Sequence, residues 1–225
     1  MSKRILSVIM ILCLIMAMVP AAFAVEGETY EAEVWESAQP DGESKKYSTI
    51  EEAIQSINDK DAYIRLLQDI SVELTWDEYS STYYGLRPDA GDNTLTLDLG
   101  GHTLTAVWPE NISVTEDSGA FCAAIGVSGE GQGEFSITNG TIVLSKVKGS
   151  LEPDLIANFA VIGEDFPNVK LSSVEILQED SGEGSILAAV SNAPRNNWYL
   201  NYEFENCVIK LRSAVPAAMS LLTDV

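Results

Sequence analysis

His102 is the chain's only histidine, and it stands in the corner Gly100-Gly101-His102-Thr103. With no fitting neighbours, it supports neither a Ser-His-Asp relay nor a histidine metal cluster. It reads as a corner residue whose ring bonds backbone. Glycoside hydrolysis needs two carboxyl groups flanking one bond, and Asp154, Asp165 and Asp180 fall in loops or at strand ends where nothing orders them. A lyase acting on acidic sugars would need stacked carboxylates to hold calcium, and a base beside them. The outward series Thr96, Ser136, Lys170, Glu203 and Asp98, Thr138, Ser172, Glu205 carry only isolated charges. No catalytic residue, metal or cofactor is therefore assigned. Calcium suits an acidic surface, but no motif gathers ligands for it.

Aromatic side chains are the stronger signal. The apolar C–H faces of sugars stack on Trp and Tyr rings. Three stretches read as insertions projecting as loops: residues 77–93 with Tyr83 and Tyr84, residues 107–119 with Trp108, and residues 192–201 with Trp198 and Tyr199. Trp76 immediately precedes the first. Insertions of a repeat protein tend to gather on one face and bind there, so Tyr83, Tyr84, Trp108, Trp198 and Tyr199 form the candidate binding set, with a glycan or host-surface ligand.

The elements that position them are repeats. FSITNGTIVL (Phe135 to Leu144) recurs as VKLSSVEILQ (Val169 to Gln178) and YEFENCVIKL (Tyr202 to Leu211), at offsets of 34 and 67 residues. Ile137, Leu171 and Phe204 then share one column and Ile142, Ile176 and Ile209 another, with Asn139, Ser173 and Asn206 at a bend between them. Alternation of period two on each side of the bend predicts two short strands meeting at a sharp corner. A single such unit cannot bury its apolar face alone, so stacking is implied. LTLDLGGHTLT (Leu95 to Thr105) is an upstream version with a longer corner. A third apolar strand recurs in FCAAIGV, ANFAVIG and ILAAVS, and again in AAMSLLTDV (Ala217 to Val225).

Three strands per turn describe a right-handed parallel β-helix. The helix-forming Thr49 to Ile54, the strand Ile64 to Ile70 and the LDLGGHTL coil of Leu97 to Leu104 resemble the pectin-lyase-like β-helices of secreted and surface proteins of Gram-positive, Clostridia-type gut bacteria. The resemblance covers residues 47–225. It implies an all-β solenoid with an N-terminal capping helix, and it does not choose among lyases, hydrolases, adhesins and stalks, which share this fold.

Residues 1–24 combine a basic start (Lys3, Arg4), an apolar run and the ending Ala22-Phe23-Ala24, which is the pattern of a signal peptide. Residues 25–46 read as one short strand and an acidic linker, and residues 47–225 as the β-helix domain, continuing into further coils or domains. The mature chain has 11 Lys and Arg against 34 Asp and Glu, a net charge of −23. Such a surface excludes nucleic acid, whose binding rests on Lys and Arg neutralising phosphates. No membrane span is expected in the mature chain. Ser48 and Glu51 suggest a capping box, and Ile50, Ala53, Ile54 and Ile57 mark one helical face over the first coil. Cys122 and Cys207 fall two coils apart, beyond the roughly 7 Å reach of a disulfide, and should be free thiols. The expectation is a secreted or cell-surface, non-catalytic, adhesin-like or glycan-contacting protein. The rivals are part of a polysaccharide lyase or glycoside hydrolase acting through later coils, and a passive spacer.

Overall fold

The computed structural model describes residues 29–57, 60–78, 82–108, 120–128, 133–145, 156–164, 168–178, 186–192 and 201–211. It is all-β, with one short helix among the described residues. In chain order the elements are β1 (Ala32–Trp35), β2 (Ser44–Tyr47), α1 (Ile50–Gln55), β3 (Ala62–Leu66), β4 (Ile70–Glu73), β5 (Thr75–Asp77) and β6 (Thr82–Leu86). Then follow β7 (Thr94–Asp98), β8 (Thr103–Val107), β9 (Ala120–Ser128), β10 (Glu134–Leu144) and β11 (Ile156–Glu164). The series ends with β12 (Asn168–Gln178), β13 (Ile186–Asn192), β14 (Asn201–Glu205) and β15 (Val208–Leu211).

Two sheets hold these strands. One is ten-stranded, with the order β14-β12-β10-β7-β3-β1-β2 and with β4, β8 and β15 joined beside that path; the other runs β13-β11-β9-β6-β5. Orientation is mixed: β1–β2, β1–β3 and β5–β6 are antiparallel, the remaining pairs parallel. The parallel register follows the repeat. Ile137 pairs with Leu171 and Leu171 with Phe204, while Ile142 pairs with Ile176 and Ile176 with Ile209. The first column extends backward through Leu97 to Ile64, the second through Leu104 to Ile70. Ile64, Leu97, Ile137 and Leu171 are each at most 2% exposed, whereas the terminal Phe204 stands at 44%. The third apolar segments form β9, β11 and β13, which pair in parallel with one another; Ala217 to Val225 lies outside the described residues.

Residues 25–46 yield two strands where one was expected. Ala32 and Val34 are buried, and the chain then returns so that β2 pairs with β1 while β1 pairs with β3. The first parallel strand is thus covered by a hairpin as well as by α1. The helix cap is one residue later than the Ser48/Glu51 pattern suggested. Thr49 is the N-cap, its Oγ1 accepting from Glu52 N at 3.2 Å. The shift lets Ile50, fully buried, open the helix, and its N–H donates to Glu31 Oε2 at 3.0 Å. Ala53 is buried and Ile54 and Ile57 pack against the core, so the apolar stripe lies as its spacing required. Cys122 and Cys207 are free.

The bend residue inverts the side-chain phase. In β10 the buried apolar positions are Phe135 and Ile137 before the bend and Ile142 and Leu144 after it, odd positions giving way to even ones. An unbroken strand would have turned Ile142 outward. Asn139, Ser173 and Asn206 supply the inversion, with φ of 57°, 57° and 52°. That left-handed region costs an L-residue with a bulky Cβ about 1–2 kcal/mol, and Asn tolerates it best after Gly. At the longer corner of the preceding coil, Gly100 and Gly101 take φ of 62° and 84°. A Cβ on Gly100 would come within 2.7 Å of Leu66 O.

Asp98 ties the corners together. Expected as an isolated outward charge, it is 3% exposed. Its Oδ2 accepts from Tyr63 Oη at 2.7 Å and Arg65 Nε at 2.8 Å. Its Oδ1 accepts from Gly100 N at 2.9 Å and Asn139 Nδ2 at 3.2 Å. Arg65 in turn lies over the Trp35 and Tyr63 rings, 5.4 and 5.5 Å from their centroids. Burial by itself would raise the Asp98 pKa; the bonds from Tyr63, Arg65, Gly100 and Asn139 together outweigh it and hold the carboxyl below its ordinary 3.8.

Two outcomes follow. Ser173→Val should lower stability by about 1–2 kcal/mol, while Ser173→Gly is nearly neutral because relief at positive φ offsets the added freedom of the unfolded chain; urea midpoints measure both, and equal losses would contradict a backbone origin. Because the folded pKa of Asp98 is depressed, its contribution is fully present above the unfolded value and lost as pH falls through the folded one. Asp98→Asn should therefore flatten the decline of the urea midpoint below about pH 4, and a slope identical to the parent's would assign the acid sensitivity to other carboxylates.

Candidate functional site

The aromatic residues singled out by sequence do not share one environment. Residues 75–77 and 82–86 pair as antiparallel strands where a loop was expected over 77–93, with Trp76 directly opposite Tyr83. β6 then joins the second sheet, pairing in parallel with β9 so that Tyr83 meets Cys122 and Tyr84 meets Ala123. Alternation explains the change: Thr82, Tyr84 and Leu86 are buried while Tyr83 and Gly85 are half-buried, the period of a strand. The tyrosines have high β propensity, and β9 offers them an edge to pair with.

Tyr84 is 2% exposed and Trp108 2% exposed, so neither ring stands on a projecting loop. The Tyr84 ring lies across Gly126; a Cβ there would come within 2.2 Å of it. Arg87 caps the same ring from 5.3 Å and forms an ion pair with Asp77 on the facing strand. Trp108 belongs to the main core, and its buried Nε1 meets no acceptor among the described residues, a cost of about 1–3 kcal/mol that its large apolar area offsets. Trp198 and Tyr199 lie outside the described residues.

What remains accessible is a graded stack. Trp76 is 42% exposed, its ring 4.8 Å from that of Tyr83 at an interplanar angle of 53°. Tyr83 rests in turn on Trp108, 5.7 Å away at 46°. Burial, and secondarily the neighbouring Cys122, raise the Tyr83 pKa above its ordinary value, so the phenol stays neutral. Burial also pushes the Cys122 thiol up, leaving it unreactive. The exposed member, Trp76, was not in the sequence-derived set. Its position opposite Tyr83 becomes visible only once the hairpin register is known.

Elsewhere the chemistry is filled. All four Asp98 contacts are structural donors, so this carboxylate has no free face for acid–base work. His102 Nδ1 lies 3.5 Å from Asp69 Oδ1, which also accepts from the Thr103 N–H. Among the described residues no three His, Cys, Asp or Glu side chains converge as a metal site. Asp154, Asp165 and Asp180 lie outside the described residues. Lys170 and Glu203, paired across β12 and β14, form the ion pair read from the sequence, at 3.4 Å. Among the described residues no helix is long and apolar enough to cross a membrane. No family model matches this chain, nor does any curated protein or solved structure.

The packing of Tyr84 on Gly126 gives a direct check. Gly126→Ala should cost about 1–3 kcal/mol by overpacking, and Tyr84→Leu in the same chain should restore part of that loss, as read by thermal or urea unfolding. Additive losses in the double variant would show that the two positions do not compete for space.

Proposed function

We propose that this chain is a secreted, non-catalytic surface protein of right-handed parallel β-helix type, similar to the pectin-lyase-like solenoids, that contacts neutral carbohydrate through Trp76 and Tyr83. Support for the solenoid comes from the three strand series that repeat in parallel register, one of them in a separate sheet. Support for secretion comes from the signal-peptide pattern of residues 1–24.

The observation that carries the binding reading is the exposure of Trp76. A large indole left 42% exposed loses the gain of burial, yet its orientation is fixed by a cross-strand tyrosine that is itself braced by a buried tryptophan. A rigid ring of that kind presents stacking area at small entropic cost. An uncharged ligand suits it better than an anionic one, since the chain's net charge of −21 repels anions.

The burial of Tyr84 and Trp108 favours a second reading, a passive spacer, because two of the rings first assigned to binding serve the core instead. Glycan-array and titration experiments with neutral oligosaccharides separate the two. Trp76→Ala should weaken binding roughly tenfold, the loss of one stacked ring by analogy with base stacking, while leaving the urea midpoint nearly unchanged. A parent chain that binds no neutral glycan would leave the spacer reading.

A further inference from the structure

The ten-stranded sheet ends in two unlike edges. At one end β2 pairs only with β1, and at the other β14 pairs only with β12, among the described residues. The β14 and β15 edge exposes Phe204 at 44%, Val208 at 49% and Ile209 at 37%. Phe204 and Ile209 are the terminal members of columns whose inner members, such as Ile137, Leu171, Ile142 and Ile176, are fully buried, whereas Val208 follows the half-buried Thr141 and Glu175. The β2 edge is basic. Lys45 and Lys46 are both exposed, Lys45 lying 4.9 Å from the Tyr47 ring centroid and Lys46 5.9 Å from that of Tyr30.

Direction and register of the two edges match. β14, β12, β10, β7 and β3 are parallel, β1 reverses, and β2 reverses again, so β2 runs the same way as β14. Following the residue pairs across the sheet, Glu205 leads through Ser172, Thr138, Asp98, Arg65 and Glu33 to Lys46. Phe204 leads by the same route to Lys45. A second copy translated along the stacking direction would therefore continue the sheet in parallel, with Lys46 beside Glu205 and the Lys45 ammonium over the Phe204 ring.

We propose that copies of this chain associate head to tail, the β2 edge of one pairing with the β14 edge of the next. Lysines on a free edge ordinarily deter strand addition. Here the facing edge carries Glu205 at the matching position and an aromatic ring at the other, and a lysine stem can lie along apolar surface while its ammonium reaches that ring. The symmetric alternative, β14 against β14, would gather Glu203 and Glu205 of both copies at one seam, where like charges oppose pairing. The contact is heterologous and does not close, so its product is an open series.

The test is directed disulfide formation between copies. Paired parallel neighbours lie about 4.8 Å apart, within disulfide reach. Lys46→Cys and Glu205→Cys are made separately in full-length chains that also carry Cys207→Ser, folding is checked by circular dichroism, and each is oxidised mildly alone and mixed. The expected result is covalent dimers in the mixture, several-fold above either variant alone, with noncovalent oligomers of increasing size in the parent by sedimentation velocity. Linkage of Glu205→Cys alone would establish the symmetric seam and overturn the proposal. Absence of linkage in all three samples, with a parent monomeric across the concentration range, would overturn it equally.

Discussion

The left-handed residue at each corner is the constraint on which the rest of this structure depends. A strand that enters the corner with odd positions facing the core must leave with even positions facing it, and a backbone inversion at each bend accomplishes this. Asn139, Ser173 and Asn206 hold that inversion in register, three times, with φ within a few degrees of one another. Columns as different as the Ile137 and Ile142 series can then share one core although they lie on opposite sides of the bend. In the longer corner the inversion is made by Gly100 and Gly101, and Asp98 links the two kinds of corner by binding Gly100 N and Asn139 Nδ2 together.

That Asp98 network also bears on chemistry. A carboxylate beside a tyrosine hydroxyl and a guanidinium resembles the composition of an acid–base site, but composition is not availability. Every oxygen of Asp98 is already engaged by two donors, and its ionised form is favoured well into acid. A group that must exchange a proton near neutral pH needs the opposite arrangement. The network is a strut between neighbouring strands, made of polar atoms because the corner exposes backbone donors that apolar side chains could not satisfy.

Sequence showed the repeating core well and the aromatic site poorly, for different physical reasons. Columns such as Leu97, Ile137 and Leu171 are overdetermined: alternation, repeat offset and corner residue all require the same placement. The helix stripe was legible for the same reason, while its cap at Thr49 rather than Ser48 turned on which residue must first be buried. Strands β5 and β6 were not legible because Tyr and Gly with Pro88 close by fit a loop and a strand alike; pairing of β6 with β9, a partner distant in sequence, decides between them. Trp108 escaped similarly. A tryptophan at a strand end carries no local mark of whether its ring turns toward solvent or toward Tyr83.

The same logic separates the two ends of the sheet. The β2 end is finished by reversal: β1 runs against β3, which satisfies its backbone groups; Lys45 then occupies a column that is apolar elsewhere, and Lys46 one that carries Glu33, Arg65, Asp98 and Glu205. The β14 end carries the interior pattern outward unchanged, so Phe204 and Ile209 are core residues by type and surface residues by exposure. Each inner strand of the parallel series is stabilised on both sides by its neighbours. The apolar edge at Phe204 and Ile209 therefore presents the same column positions that the inner strands bury, and it differs from them in having nothing paired upon it among the described residues. Whatever covers it must match a parallel register and a neighbouring Glu205, conditions far narrower than general hydrophobicity imposes.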